Sequence, residues 1–102
     1  MSNDQLSSLK SPEGARDLRP DNPSIVEALG VMLSMAGRHA EALPHLRQAV
    51  EADPEDTALR YQRALSAYLV GEIAEATEQV EQVLAADPDH VQGRRLRQVL
   101  RQ

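Results

Sequence analysis

The chain has 102 residues, carries a formal net charge of −5, and contains no cysteine, phenylalanine or tryptophan. The absence of cysteine excludes disulfides, thiol catalysis and thiolate metal sites. The acidic balance and an aromatic content of only 2 % argue against nucleic-acid binding, which relies on basic surface and stacking rings. A hydrophobic fraction of 41 % is enough for one domain with an aliphatic core.

The N-terminal segment, Met1–Pro20, is interrupted by Pro12, Gly14 and Pro20 and is otherwise rich in small polar residues. This composition predicts a flexible tail over residues 1–21. The segment lacks the basic and then apolar pattern of a secretory signal. The longest nearly apolar stretch, Leu29–Gly37, is too short to span a bilayer. We therefore expect a cytoplasmic protein that does not insert into membranes.

Five helical segments follow the tail. The first begins after Asn22, a good N-cap, with Pro23 in the first helical position, and it ends at Gly37. Apolar residues recur at spacings of three and four in each segment. In chain order, these predicted faces are Val26, Leu29, Gly30, Leu33 and Ala36; Leu43, Leu46, Ala49 and Val50; Leu59, Ala64, Leu65, Ala67 and Tyr68; Ile73, Ala76, Val80, Val83 and Leu84; and Leu96, Val99 and Leu100. Because no segment alternates with period two, we expect no strands.

A fixed period joins these segments. Asp53-Pro54 returns as Asp87-Pro88, thirty-four residues later, and Pro20 lies thirty-four residues before Pro54. A repeat of this length indicates stacked helical units rather than an ordinary globular core. Proteins of this type present a surface to another macromolecule.

The pattern resembles the tetratricopeptide repeat, a helix–turn–helix unit of thirty-four residues. In the first repeat, residues 23–56, the motif positions fall on Val26, Leu29, Gly30, Leu33, Gly37, Ala42, Leu46, Ala49 and Pro54. In the second repeat, residues 57–90, they fall on Ala64, Gly71, Ala76, Val80 and Pro88.

Three residues depart from the motif. Arg60 and Arg63 occupy positions that are ordinarily apolar. We therefore expect either a slightly rotated helix or arginine stems that lie along apolar surface while their heads reach solvent or an acid. Pro44 lies within the second helix, where it predicts a bend or a late start.

The resemblance implies an all-α fold in which antiparallel helix–turn–helix repeats stack as a short right-handed α-solenoid. The domain would occupy residues 22–102, with a C-terminal capping helix at residues 90–102. Small residues would let the paired helices approach closely, namely Gly30, Ala42, Ala64 and Ala76.

The resemblance also implies a concave groove, lined by the first helix of each repeat, that holds a peptide of a partner protein. Its lining positions are Glu27, Val31, Ser34, Met35, Tyr61, Leu65, Tyr68, Arg95 and Val99. Family members that clamp the C-terminal carboxylate of a chaperone use asparagine and basic residues where this chain has Val31, Leu65 and Glu27, so we expect no such clamp. An apolar or amphipathic peptide or helix fits this groove better. Tyr61 and Tyr68 share one helix face and either line the groove or pack inside the array.

Nothing in the sequence indicates catalysis, a metal or a cofactor. His39 and His45 are six residues apart, which differs from the four-residue spacing of a helical zinc site. The glycines punctuate repeats and do not form a phosphate-binding loop. We therefore expect a protein that is not an enzyme and that needs neither a cofactor nor a metal.

Charge is unevenly distributed along the second half of the chain. Residues 72–89 hold six acids and no Lys or Arg, whereas residues 90–102 hold four arginines and no acid. The pattern is consistent with a solvated acidic face and a solvated basic cap. Two other interpretations are complementary patches that let two copies dock and a basic cap that binds an anionic surface.

The leading functional hypothesis is a protein–protein interaction module that holds a partner peptide or helix in the groove. One alternative is a self-assembling, homo-oligomeric structural or scaffold protein, because two and a half repeats fall short of the three or so that an array usually needs. Another is a small chaperone or adaptor subunit for a larger partner. The residues leave these alternatives open.

Overall fold

A computed structural model describes residues 22–102, which form five helices and no strand. The helices are α1 (Pro23–Met35), α2 (His39–Ala52), α3 (Thr57–Val70), α4 (Ile73–Ala86) and α5 (Val91–Leu100). The expected all-α fold is thereby confirmed. The tail predicted over residues 1–21 lies outside the described residues.

Side-chain caps fix where three of the helices begin. The Asn22 side-chain oxygen accepts hydrogen bonds from the backbone N–H groups of Ser24 and Ile25, at 2.8 and 3.2 Å, as its N-cap position predicts. Asp56 accepts in the same way from the Leu59 N–H at 3.0 Å. At α5 the cap is His90, whose Nδ1 accepts from the Gly93 N–H at 2.9 Å.

Two glycines make the tight turns within the helix pairs. Gly37 follows α1 with a φ of +81°, and Gly71 follows α3 with a φ of +92°. These left-handed conformations strain residues that carry a Cβ, so glycine is the residue that the turn requires. The predicted punctuation of the repeats is confirmed.

Pro44 neither delays nor ends α2, which begins at His39 and continues to Ala52. The expectation of a late start is therefore wrong. Pro44 and Ala40 are both exposed, so water can reach the Ala40 carbonyl that loses its usual N–H partner.

The order of packing makes the array curved. The helices pack in sequence as neighbours, with α1 on α2, α2 on α3, α3 on α4 and α4 on α5. In addition, the backbone of α3 comes close to those of α1 and α5, whereas the backbones of α2 and α4 stay apart and these two helices are joined by the Arg47–Glu75 ion pair. The first helices of successive pairs therefore converge on the inner side of the array, and α2 and α4 diverge on the outer side.

Small residues allow the paired helices to approach closely. Ala42, Ala64 and Ala76 have no exposed surface. A Cβ at position 30 would lie 3.0 Å from Leu46 Cδ2 and 3.2 Å from the Leu46 backbone nitrogen, which leaves almost no room for a side chain. The predicted role of these residues agrees with their positions in the structure.

The buried strip on α1 is narrower than the sequence pattern suggested. It consists of Val26, Gly30 and Ser34, which are spaced four residues apart. Leu29, which we assigned to the buried face, is 41 % exposed, and Ile73 on α4 is 46 % exposed. Because α1 and α2 pack so closely at Gly30, only residues directly on the contact line are enclosed.

Arginines in the second repeat replace apolar contacts with polar ones. Arg63 Nε donates a 2.8 Å hydrogen bond to Glu75 Oε2, and Arg47 Nε donates to the same oxygen at 2.9 Å. Arg60 donates to the Gln79 side-chain oxygen at 2.9 Å and to the Pro54 carbonyl at 2.8 Å. Of the two alternatives for Arg60 and Arg63, the structure therefore supports arginine heads that reach polar partners.

Glu75 joins three helices, because it lies on α4 and bonds to Arg47 of α2 and Arg63 of α3. Its side chain is only 13 % exposed. The hydrogen bond from Arg47 holds the pKa of Glu75 below its ordinary value, with help from Arg63 and against the opposing effect of burial. The same contact raises the pKa of Arg47.

We predict that Glu75→Gln lowers the free energy of unfolding at pH 7 by about 1–2 kcal/mol, because it leaves two arginines without their charged acceptor. Since the folded-state pKa of Glu75 lies below its ordinary value of 4.5, the contribution is complete above that pH and is lost as pH falls through the folded pKa. Urea unfolding at pH 7 and at acidic pH measures both effects. Glu78→Gln, an exposed change on the same helix, is the control. Equal losses in the two variants would contradict the prediction.

We also predict that Gly30→Leu destabilises the protein by roughly 1–3 kcal/mol, because the new side chain would push α1 away from Leu46. Ala58→Leu adds a similar apolar volume at an exposed position of α3 and should have little effect. Urea unfolding of both variants provides the comparison. A Gly30→Leu protein as stable as the parent chain would refute close packing at this position.

Candidate peptide-binding groove

Six of the predicted groove residues form two rows at thirty-four-residue intervals. One row is Glu27, Tyr61 and Arg95, and the other is Val31, Leu65 and Val99. Each row takes one residue from each of the helices α1, α3 and α5. We call these the charged row and the apolar row.

The predicted lining residues differ in their accessibility. Four are exposed, namely Glu27, Met35, Arg95 and Val99, and four are half-buried, namely Val31, Tyr61, Leu65 and Tyr68. Met35 is 80 % exposed and Val99 is 42 % exposed, so both offer apolar surface to a ligand. Ser34 alone is buried.

The predicted groove residues of α3 also contribute to the hydrophobic core. Tyr61, Leu65 and Tyr68 pack against a buried cluster of Ala64, Val80 and Leu96. The two interpretations of the tyrosines are therefore not exclusive, since one side of each ring packs inward and part of the side chain remains accessible. Burial raises the pKa of the Tyr61 hydroxyl.

His90 ties Tyr61 to the beginning of α5. The two rings have centroids 5.4 Å apart and are tilted by 38°. Because the same imidazole accepts the Gly93 N–H, it couples the cap of α5 to an aromatic residue at the centre of the groove.

Ser34 contributes to the position of α1 and not to the groove surface. Its hydroxyl donates to the Gln62 side-chain oxygen at 3.1 Å and lies 3.4 Å from the Ser66 hydroxyl, which donates to it. Both partners are on α3, which contacts α1 at this point. Because Ser34 is only 6 % exposed, the prediction that it lines the groove is corrected.

A serine–histidine contact in this network does not form a catalytic site. His39 Nδ1 lies 3.0 Å from Ser66 Oγ, a distance compatible with a nucleophile and its base. Ser66, however, has no exposed surface and donates to Ser34, so a substrate has no access to its oxygen. The contact joins α2 to α3 as a structural hydrogen bond.

Sequence reasoning missed Gln62 and Ser66 as members of this network. Both are polar residues on α3, four positions apart, which places them on one helix face. The thirty-four-residue register provides a signal, because Ser66 corresponds to Met32 and to Leu100, which are apolar. A polar residue at an otherwise apolar position indicates a buried hydrogen bond.

The charge of the C-terminal helix is partly used within the molecule. Arg97 and Arg101 each lie 3.8 Å from Glu81 of α4. The acidic and basic segments noted in the sequence therefore face each other inside one chain at this point. Arg94 and Arg95 pair with no acid among residues 22–102 and are exposed.

Residues 22–102 contain neither a metal-binding cluster nor a membrane-spanning helix. No three His, Asp or Glu residues lie in an arrangement that would hold a metal ion. No helix in the described part of the chain has the length and apolar character needed to cross a bilayer.

Comparisons with known proteins agree with this geometry. Three solved structures of MamA superimpose on 97 % of this chain at 21 % sequence identity: one mutant with a TM-score of 0.77, the structure titled MamA MSR-1 C2 with 0.76, and another mutant with 0.75. The chain covers 56 % of the length of the first two and 71 % of the third. At this identity the likeness concerns the fold alone. No curated protein matches the sequence.

The family model described as tetratricopeptide repeat matches residues 33–100. This stretch exceeds half of the chain and contains both glycine turns and the two Asp-Pro pairs. Repeats of this type act as protein-interaction or scaffold modules. The chain belongs to the tetratricopeptide repeat family.

Proposed function

We propose that this protein is a non-enzymatic interaction module that holds an apolar or amphipathic helix or peptide of a partner protein against α1, α3 and α5. The observation that carries the proposal is the apolar row, in which Val31, Leu65 and Val99 occupy one register position on α1, α3 and α5. Helices with one apolar face are recognised by such surfaces through a few anchoring side chains.

The charged row gives the groove a direction. Glu27 lies at the α1 end and Arg95 at the α5 end, with Tyr61 between them. A partner segment whose basic residue lies near Glu27 and whose acidic residue lies near Arg95 would bind in one orientation better than in the other. Charge complementarity of this kind contributes more to specificity and association rate than to affinity.

The apolar row also argues against capture of a chaperone C-terminus. Recognition of a free carboxylate needs hydrogen-bond donors or cations at the contact point. Val31 and Leu65 supply neither, and Glu27 would repel a carboxylate. The groove therefore favours an internal segment of a partner over a free chain end.

We predict that Val99→Glu weakens capture of the partner more than about tenfold, which corresponds to roughly 1.4 kcal/mol, because it places a charge in the apolar row. Val99 is 42 % exposed, so the substitution should leave the fold intact. Leu65 and Tyr68 are less suitable targets, since both pack on the core. The measurement is quantitative mass spectrometry of proteins retained from the source cells by immobilised protein.

Ala85→Glu provides the control, because it introduces the same charge at an exposed residue of α4 that lies away from the α3–α4 turn and is not among the predicted groove residues. Circular dichroism of both variants checks their folding. If Val99→Glu and Ala85→Glu retain the same proteins in the same amounts, the groove is not the binding surface.

The second candidate is a homo-oligomeric scaffold. It is favoured by an apolar patch around the α3–α4 turn, where Leu69, Val70 and Ile73 are 51, 37 and 46 % exposed. Apolar side chains that cluster on a surface often mark a protein interface. An adaptor or small chaperone role would instead use the groove described above, with a larger partner.

If the patch is an interface between copies, we predict that the average mass rises with concentration and that Leu69→Glu abolishes this rise. Sedimentation equilibrium over a wide concentration range measures it. Glu78→Gln, which lies on α4 away from the turn, should behave as the parent chain. A single monomeric species at every concentration would rule out the scaffold function and leave the groove proposal standing.

A further inference from the structure

One face of α1 lacks a packing partner among residues 22–102, whereas the equivalent faces of α3 and α5 have one. This face consists of Ile25, Ala28 and Met32, and we call it the α1 flank. By the thirty-four-residue register, its counterparts are Leu59, Gln62 and Ser66 on α3, and Gly93, Leu96 and Leu100 on α5.

The preceding second helix covers each of the two counterpart faces. On α3, Leu59 is 3 % exposed and packs with Ala49 and Val50 of α2. On α5, a Cβ at Gly93 would lie 3.2 Å from Val83 and 3.3 Å from Leu84, both of α4. In each case the contacting residues of the preceding helix lie nine or ten positions earlier in the sequence than the residue they bury.

On α1, no described helix occupies the corresponding position. Met32 is 64 % exposed and Ala28 is also exposed. An open depression on this side of the molecule is lined by both residues, together with Ser24, Glu27 and Val31. Ala28, Val31 and Met32 make part of this surface apolar, so the exposure of that part to water is unfavourable.

The chain itself has residues in the right register to cover this face. Pro20 corresponds to Pro54 and Pro88, the prolines that follow α2 and α4. Ala15 corresponds to Ala49, which is 2 % exposed. Leu9 corresponds to Leu43, which is 4 % exposed. Twenty-one residues precede Asn22, and α2 and α4 each use 14.

We propose that residues 1–21 of the same chain cover the α1 flank, with Leu9 and Ala15 as the contacting residues. The segment joins α1 directly at Asn22, so its local concentration at the flank far exceeds that of a second copy in solution. Pro12 does not exclude this arrangement, because α2 accommodates Pro44 without ending. The flank adjoins the groove, because Glu27 and Val31 line the same depression, but the flank residues Ile25, Ala28 and Met32 belong to neither row.

Two double variants of the full-length chain test the proposal. Leu9→Asp with Ala15→Asp places charges at the two contacting positions. Leu6→Asp with Leu18→Asp is the matched control, because the register equates these residues with Ala40 and Ala52, which are exposed. Both variants add the same charge to the same segment, so general electrostatic effects cancel in the comparison.

We expect the first variant to lower the melting temperature by about 4–8 °C, as a modest loss of apolar packing does in a domain of this size, and the second to leave it unchanged. Hydrogen exchange should show faster exchange of the α1 amides in the first variant alone. Equal melting temperatures and exchange rates in the two variants would overturn the proposal.

A third variant, Met32→Asp, distinguishes coverage of the α1 flank by residues 1–21 from coverage by a second copy of the chain. If residues 1–21 cover the flank, Met32→Asp lowers the melting temperature at any protein concentration and leaves the mass unchanged. If Met32→Asp instead dissociates a dimer in sedimentation equilibrium, while Leu9→Asp with Ala15→Asp has no effect on mass or melting, the flank binds a second copy and the proposal is wrong.

Discussion

The close approach of α1 to α2 at Gly30 is the constraint on which the rest of the array depends. A Cβ at this position would lie 3.0 Å from a Leu46 side-chain carbon, so the pair keeps its spacing only with glycine or a very small residue. The second pair repeats the arrangement through Ala64, which has no exposed surface. Two pairs of similar geometry stack with α1, α3 and α5 converging on one side. The groove is therefore a consequence of packing between helices that lie partly outside it.

The second repeat maintains the same geometry with a different chemistry. Where the first repeat places Val26 and Leu29, the second places Arg60 and Arg63, and these reach polar partners on α4. In a chain without phenylalanine or tryptophan, long arginine stems supply contact area that large apolar residues would otherwise supply. The packing of the second repeat therefore depends on charge, because Glu75 must remain ionised to hold its two arginines. Acidification should therefore loosen the helix that forms the centre of the groove.

Local sequence signals were enough to place the helices. The predictions that failed concern contacts between residues that are distant in sequence. The Asn22-Pro23 start and the glycine turns each depend on a few neighbouring residues, and the structure has both. The burial of Ser34 depends on Gln62 and Ser66, which are 28 and 32 residues away. No helical period encodes such a contact, so the sequence placed Ser34 on the groove surface. The tyrosines were ambiguous for the same reason, since their burial depends on Leu96 of α5.

Helix α5 contributes to the packed core and carries two of the predicted groove residues, and its three faces explain how. Leu96 is buried against the preceding pair, while Arg95 and Val99 are exposed. On the remaining side, Gln98 stands at the register position of Gly30 and Ala64. A glutamine there would hold a neighbouring helix farther away than α2 is held from α1, so α5 favours solvent on that side. The polar outer face and the mixed inner face thus follow from the same register that builds the two complete pairs.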